Sequence, residues 1–341
     1  MTDIRSMSFD ELLKYIISIG QPKFRAEQIF LWLHKGISDF DEMKNIPQAL
    51  RQLLREDCVL NVAECIKRQI SKKDGTRKYL LRFADGNCVE AVFMKYNHGN
   101  TVCISTQVGC RMGCVFCAST KNGLIRNLLP SEMLAELFAI IKDTGEKITN
   151  IVLMGTGEPL DNYDNVIKFL TLVNDHRGLN IGMRHISLST CGLCDRIERL
   201  AEENLPITLS VSLHAPTNDA RNAIMPVNRA YGVERLIGTC KEYFRKTSRR
   251  ISFEYTMIAG STDGVTQARE LAKLLSGFPC HVNLIPLNKI SEGKLYPSDA
   301  DTIMQFKSIL EKSGIAVTVR RSLGADIDAA CGQLRQNYIS E

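Results

Sequence analysis

Cys110, Cys114 and Cys117 stand in the run Gly109-Cys-Arg-Met-Gly-Cys-Val-Phe-Cys-Ala118, a Cys-x-x-x-Cys-x-x-Cys spacing that offers three thiolates from one short loop. Cysteine thiolates hold iron–sulfur clusters, and a cube of four irons tied at only three of them keeps one iron open for a ligand that can be activated there. A structural zinc site would instead want four protein ligands and a closed shell. Gly109, Gly113, Ala118 and Ser119 keep the run small, as a loop needs when it wraps tightly and turns its N–H groups towards sulfur. The bland alternative is that three of 12 cysteines fall together as buried small hydrophobes, and it leaves the spacing unexplained.

The spacing resembles the signature of the radical S-adenosylmethionine (radical SAM) superfamily, in which the open iron chelates the amino and carboxylate groups of the methionine moiety. After the apolar run Ile151–Met154 comes Gly155-Thr-Gly-Glu-Pro159, a turn whose glycines let backbone approach a ligand closely beside a carboxylate. Taken alone it is a sharp loop. In order after the cysteine triplet it matches the superfamily segment that holds the cofactor's amino group, with Gly157 and Glu158 in that role. Ser189-Thr190, Ser212-Leu213-His214 and Asn288 follow at successive strand ends, and offer hydroxyl, imidazole and amide groups for a ribose, a carboxylate and an adenine.

Near the end of the chain, Gly324-Ala-Asp-Ile-Asp-Ala-Ala-Cys-Gly-Gln-Leu334 sets Cys331 beside a glycine and distant from the triplet. Further motifs are Cys103 and Gln107 before the triplet, Glu90 in Val-Glu-Ala, Gly-x-Gly-Glu-Pro-Leu, Ser-Leu-His-Ala-Pro, Met-Pro-Val-Asn at 225–228 and Phe-Glu-Tyr at 253–255. Over nearly its full length the chain resembles the RlmN/Cfr family of radical SAM RNA methyltransferases, and the RlmN branch most closely. The resemblance implies a 4Fe–4S cluster on Cys110, Cys114 and Cys117, S-adenosylmethionine used twice per turnover, and an electron donor such as flavodoxin with its reductase. The implied substrates are an adenosine in the peptidyl-transferase region of 23S ribosomal RNA, methylated at C2, and the adenosine beside the tRNA anticodon.

By the same resemblance, Cys331 would take a methyl group from one S-adenosylmethionine as a thiolate nucleophile. A radical made from the second would abstract hydrogen from that methyl, and the resulting carbon radical would add to the base. Glu90 as proton acceptor and Cys103 as attacking thiol would then release the product, leaving a transient Cys103–Cys331 disulfide for cellular thiols to reduce. On the residues alone, Cys103 reads as a buried strand residue and Glu90 as an exposed strand carboxylate. Rival readings are a Cfr-type enzyme that methylates C8 and confers antibiotic resistance, a radical SAM enzyme acting on a small molecule or protein, and a non-enzymatic RNA-binding protein with a structural metal. Gly-Glu-Pro-Leu and Phe-Glu-Tyr favour the RlmN branch. Cys191-Gly-Leu-Cys194 lacks a second pair at metal spacing and reads, with Cys58, Cys65, Cys88, Cys240 and Cys280, as core or surface thiols.

These residues need a scaffold, and 341 residues at 44% hydrophobic and 24% charged suffice for one large domain with a small attachment. No apolar stretch spans a bilayer and Met1-Thr-Asp-Ile-Arg lacks a signal-peptide core, so the expectation is a cytoplasmic protein with no membrane partner. A monomer is expected as well, although no residue pattern bears on it. A net charge of +5 permits polyanion binding, although the pairs Lys72-Lys73, Arg77-Lys78, Arg245-Lys246, Arg249-Arg250 and Arg320-Arg321 are more usually solvated faces. Apolar residues at helical spacing stop at Gly20 and Gly36, and Pro47 opens a third helix. Strands flank Asp85-Gly86, a strand at Thr101–Thr106 leads into the cysteine loop, and after that loop apolar β-rich runs alternate with helical ones. The expected fold is α/β: an incomplete parallel β/α barrel of radical SAM type with a small N-terminal helical accessory domain. The expected divisions are a helical domain at 1–75 that contacts RNA, a hairpin linker at 76–98 carrying Glu90, and a radical SAM core at 99–341 ending in the Cys331 segment.

Overall fold

Serine and apolar residues alternate along the middle of the chain, as Ile-Ser-Leu-Ser-Thr at 186–190, Thr-Leu-Ser-Val-Ser at 208–212 and Ile-Ser-Phe-Glu-Tyr at 251–255. A period of two demands strands with one polar and one apolar face. The computed structural model describes residues 1–287 and 295–321 together with 323, 324, 326, 327, 334 and 338. It begins with β1 (Thr2–Asp3), helices α1 (Phe9–Ser18), α2 (Phe24–Leu33) and α3 (Gln48–Asp57), and β2 (Cys58–Val59). Strands β3 (Glu64–Ile70), β4 (Arg77–Arg82), β5 (Cys88–Tyr96), β6 (Gly99–Cys103), β7 (Gln107–Gly109) and β8 (Leu124–Asn127) follow. The alternating part comprises α4 (Pro130–Thr144), β9 (Asn150–Leu153), α5 (Tyr163–Asn174), β10 (Ile186–Thr190), α6 (Cys194–Glu202), β11 (Thr208–Ser212), α7 (Asn218–Ile224) and α8 (Val233–Thr247). It closes with β12 (Ile251–Met257), α9 (Val265–Leu274), β13 (Cys280–Pro286), α10 (Ala300–Lys312) and β14 (Ala316–Val319).

One 10-stranded sheet runs in the order β14-β13-β12-β11-β10-β9-β6-β5-β4-β3. From β14 to β6 neighbours are parallel, and from β6 to β3 they are antiparallel. Among the described residues its two ends do not pair with each other, so the barrel is open. The register carries one face across the whole sheet through Leu80↔Glu90, Val92↔Cys103, Cys103↔Val152, Val152↔Ser187, Ser189↔Ser210, Ser212↔Glu254, Glu254↔Asn283 and Asn283↔Thr318. Intervening residues, among them Tyr79, Ala91, Val102, Ile151, Leu188, Val211, Phe253 and Val282, point the other way into the main core with the helices. The serine alternation is therefore the inner lining of an open barrel.

The first helices hold a separate core of Ile4, Leu12, Ile16, Ile29, Phe30, Leu33, Leu50 and Leu54. A capping box starts α1, where Ser8 Oγ accepts from the Glu11 N–H and the Glu11 carboxylate accepts from the Ser8 N–H. Ser131 Oγ donates to Asp3 Oδ2 at 2.6 Å, and the Arg177 guanidinium lies 3.7 Å from the centre of the Phe9 ring, tying this part to α4 and to the loop after α5.

Two features depart from the sequence reading. The strands around Asp85-Gly86 gain β3 as a third member and are hydrogen-bonded through β5 to β6, so they extend the main sheet. β3 reads Glu-Cys-Ile-Lys-Arg-Gln-Ile, and the charges of an edge strand hide its period. The strand expected over Thr101–Thr106 ends at Cys103, and β7 leaves the sheet to pair with β8.

Candidate active site

β7 and β8 form the stem of the cysteine loop. Gly109 has φ +79°, and a Cβ there would lie 2.0 Å from the Gly123 carbonyl oxygen, so only glycine permits the pinch. The Cys110 N–H donates to the same carbonyl at 2.9 Å, and the Val115 N–H donates to the Ile224 carbonyl at 3.0 Å. Cys114 packs with Cys191, Ala215, Ile224 and Met225. Cys110, Cys114 and Cys117 line one wall of a cavity of about 270 Å³ at the C-terminal ends of the parallel strands. Burial, with the neighbouring thiols adding to it, pushes Cys110 and Cys114 up to about 12, so a bound metal group is what would turn them into thiolates. Among the described residues no three His, Cys, Asp or Glu side chains converge as the ligands of a single ion would. Three soft donors spread along one wall fit a multi-iron cluster.

The turn after β9 lines the same cavity. Gly157 has φ +111°, and a Cβ would meet Cβ of Gln107 at 2.6 Å. Gln107 Oε1 accepts from the Glu158 N–H at 2.8 Å while its Nε2 donates to Asn127 Oδ1 and Asp161 Oδ2 at 2.8 and 2.9 Å. Glu158 is buried, with Oε2 accepting from the Cys191 N–H at 2.7 Å and Oε1 from the Leu160 N–H at 3.0 Å. Burial pushes its carboxyl up against the pull of these bonds. An ammonium placed in the cavity would stabilise the ionised form.

His214 lines the same cavity with φ +56°. Its Nδ1 accepts from the Thr256 N–H at 3.0 Å, which puts the proton of the neutral ring on Nε2. Burial and then Arg221 push its pKa down to about 3, and Phe116 meets the ring edge-on at 4.7 Å. Ser189 and Ser212 line the cavity, whereas Leu213 turns into the core, as the strand alternation requires. Asn288 lies outside the described residues.

Glu90 and Cys103 share the inner face of the sheet but are not among the residues lining the cavity. The exposed carboxylate expected at Glu90 is buried, because the sheet extends past it, and its Oε2 lies 3.0 Å from Nζ of the fully buried Lys78. Lys78 is thus no solvated member of a basic pair. Cys103 is buried as read. Cys331 lies outside the described residues. The described residues before it are anchored on the β3–β4 turn: Asp326 accepts from Ser71 Oγ at 2.6 Å and from the Lys72 N–H at 2.8 Å, and the Gly324 N–H donates to Asp74 Oδ2 at 2.8 Å. Leu334, after it, packs on Leu80 and Cys88 of the inner face.

Sequence reading assigned no role to Lys78, Gln107, Arg221, Glu254 or Arg320. Glu254 and Arg320 both line the cavity, and Asn283 Nδ2 donates to Glu254 Oε2 at 2.8 Å. The signal for Glu254 was its polar place in the alternation of β12; a lone arginine in a short helix carries none. Cys191 is buried, as expected, yet it borders the cavity.

Residues 104–274 match the family model of the radical SAM superfamily, and residues 2–60 match that of the ribosomal RNA large subunit methyltransferase N-terminal domain. A Lachnospira eligens protein described as a probable dual-specificity RNA methyltransferase RlmN is 51% identical over 342 residues, covering 100% of this chain and 98% of its own. The chain belongs to the RlmN family of radical SAM RNA methyltransferases. A Clostridium tetani RlmN relative of the same description is 50% identical over 339 residues, covering 99% of this chain and 97% of its own. The crystal structure of a radical SAM methyltransferase from Sphaerobacter thermophilus superposes with a TM-score of 0.93 at 40% identity, covering 98% of this chain and 99% of that one. As an RlmN-family enzyme the protein acts on RNA with S-adenosylmethionine and a 4Fe–4S cluster. No helix among the described residues is long and apolar enough to cross a membrane.

Proposed function

We propose that this enzyme methylates C2 of an adenosine in the peptidyl-transferase region of 23S ribosomal RNA, and of the adenosine beside the tRNA anticodon, through a methyl group carried on Cys331. The observation that carries the reading is the antiparallel extension: Glu90 and Cys103 lie buried on its inner face, where Leu334 also packs, and its β3–β4 turn holds Asp326. When bound by Cys110, Cys114 and Cys117, the cluster supplies the electron that cleaves S-adenosylmethionine. Glu158, pre-oriented by two N–H donors, holds the cofactor's ammonium. His214 offers its Nε2–H, Ser189 and Ser212 offer hydroxyls on the cavity wall, and Asn288 supplies an amide.

The Cys331 thiolate attacks the methyl carbon of one S-adenosylmethionine and releases S-adenosylhomocysteine; the radical that a second S-adenosylmethionine would supply takes one hydrogen atom from the resulting S-methyl, leaving a carbon radical on Cys331. The target base must leave its stack to reach so enclosed a face. Addition of that carbon radical to the base leaves one unpaired electron, which the oxidised cluster would take back, and Glu90 takes the ring proton, with Lys78 balancing the carboxylate from 3.0 Å. The Cys103 thiolate then attacks the Cys331 sulfur, forming the S–S bond as the C–S bond breaks and the released carbon takes up a proton to become the product methyl, and a thiol reductant restores both cysteines. The cluster electron comes from a flavodoxin-like donor, and the enzyme works as a cytoplasmic monomer.

The deciding experiment is mass spectrometry of nucleosides from ribosomal and transfer RNA of strains with and without the protein. The expected result is 2-methyladenosine only when it is present; methyl found solely at C8 would make it a Cfr-type enzyme. Cys331→Ala should keep its iron and lose all RNA methylation, and Cys103→Ala should accumulate a covalent protein–RNA species on denaturing gels. Methylation that persists in Cys331→Ala defeats the cysteine relay.

A further inference from the structure

Arg221, on α7, is completely buried. Among the described residues it forms no ion pair with a carboxylate, and its partners are all neutral. Nε donates to the Leu213 carbonyl at 3.0 Å, Nη1 to Asn228 Oδ1 at 3.0 Å, and Nη2 to the carbonyls of Cys191 and Ser212 at 2.6 and 3.1 Å. One guanidinium thereby ties together the ends of β10 and β11 and the turn after α7. Gly192 lies against the guanidinium: a Cβ there would stand 3.4 Å from Nη2.

Burying a full charge without a counter-ion is costly, and the cost is discharged only where the charge or the fork geometry is used. Both uses are at hand. Cys191, held by Arg221 through its carbonyl, donates its N–H to Glu158. Cys191, whose carbonyl Arg221 holds, packs with Cys114 of the cysteine loop. A cluster held by three thiolates gains negative charge on reduction, and its potential responds to fixed charge nearby.

We propose that Arg221 is a positioning residue with two separable effects: its charge makes the cluster easier to reduce, and its fork holds Cys191 so that Glu158 meets the ammonium of S-adenosylmethionine. This rests on the reading that Cys110, Cys114 and Cys117 hold the cluster and Glu158 the ammonium.

The test uses full-length wild type, Arg221→Lys and Arg221→Gln, reconstituted anaerobically, with iron content, potentiometric titration followed by paramagnetic resonance, and titration with S-adenosylmethionine. Arg221→Gln should lower the reduced-to-oxidised ratio at fixed potential about tenfold, equivalent to 59 mV for a one-electron couple. It should also weaken S-adenosylmethionine binding about tenfold. Arg221→Lys should keep the potential, since it keeps the charge, yet lose affinity to a similar degree, since an ammonium cannot span four acceptors. Unchanged potential in Arg221→Gln removes the charge effect, and wild-type affinity in Arg221→Lys removes the positioning effect. If Arg221→Gln does not fold, Arg221→Lys decides: reduced affinity at the wild-type potential supports the proposal, and wild-type affinity overturns it. A wild-type protein that takes up no cluster defeats the underlying site assignment, and the proposal with it.

Discussion

Lys78 Nζ lies 3.0 Å from Glu90 Oε2, with 0% of one side chain and 4% of the other exposed. The contact runs diagonally between β4 and β5, since Lys78 is opposite Val92 and Glu90 is opposite Leu80. Two opposite charges are thereby held together on the face that also carries Cys103.

Lys78→Met should destabilise the protein by about 3–5 kcal/mol, because the Glu90 carboxylate would stay buried without its ammonium. Urea unfolding at neutral pH measures this. The double variant Lys78→Met/Glu90→Leu should recover most of the loss, since apolar groups of similar volume suit a dry site. A single variant within about 0.5 kcal/mol of wild type would mean that the face rearranges or admits water.

Gly157→Ala should weaken S-adenosylmethionine binding while leaving iron content unchanged. The new methyl would press on Gln107 from 2.6 Å at a φ of +111°, and Gln107 holds the Glu158 N–H. Backbone strain of this kind costs about 1–3 kcal/mol, enough to lower affinity about tenfold. Equilibrium binding to the reconstituted variant is the measurement, and wild-type affinity would show that the turn can shift without moving Glu158.

His214 makes stability fall in acid. Its folded pKa is pushed down from 6.5 to about 3 by burial, so the unfolded chain binds a proton in that window that the native state does not. The His214 contribution is therefore intact above about 6.5 and lost as pH falls towards 3, at up to about 1.4 kcal/mol per pH unit. His214→Gln should show a shallower loss of urea stability over this range. Some slope will remain from His34, which burial pushes down to about 4. Identical slopes in variant and wild type would show that His214 is not held neutral.

Much of the scaffold is written locally. The alternation Ile-Ser-Leu-Ser, Leu-Ser-Val-Ser and Ser-Phe-Glu-Tyr announces strands with one polar face, and the glycine stops at Gly20 and Gly36 delimit the first helices. The third strand of the extension was illegible because β3 carries the charges of an edge, and the departure of β7 from the sheet was illegible because its partner β8 lies beyond the cysteine loop.

The sequence by itself determined the three-cysteine loop and the glutamate turn, since three thiols or a Gly-x-Gly-Glu-Pro run lie within a few residues and the chain is its own ruler. Only the tertiary structure decided that Lys78 and Glu90 form a buried pair, that Gln107 reaches the Glu158 backbone, and that Arg221 binds two strand ends. Those relationships depend on sheet register and on which strands lie side by side. Burial and electrostatic pairing are properties of such neighbours, and no short stretch of chain contains them.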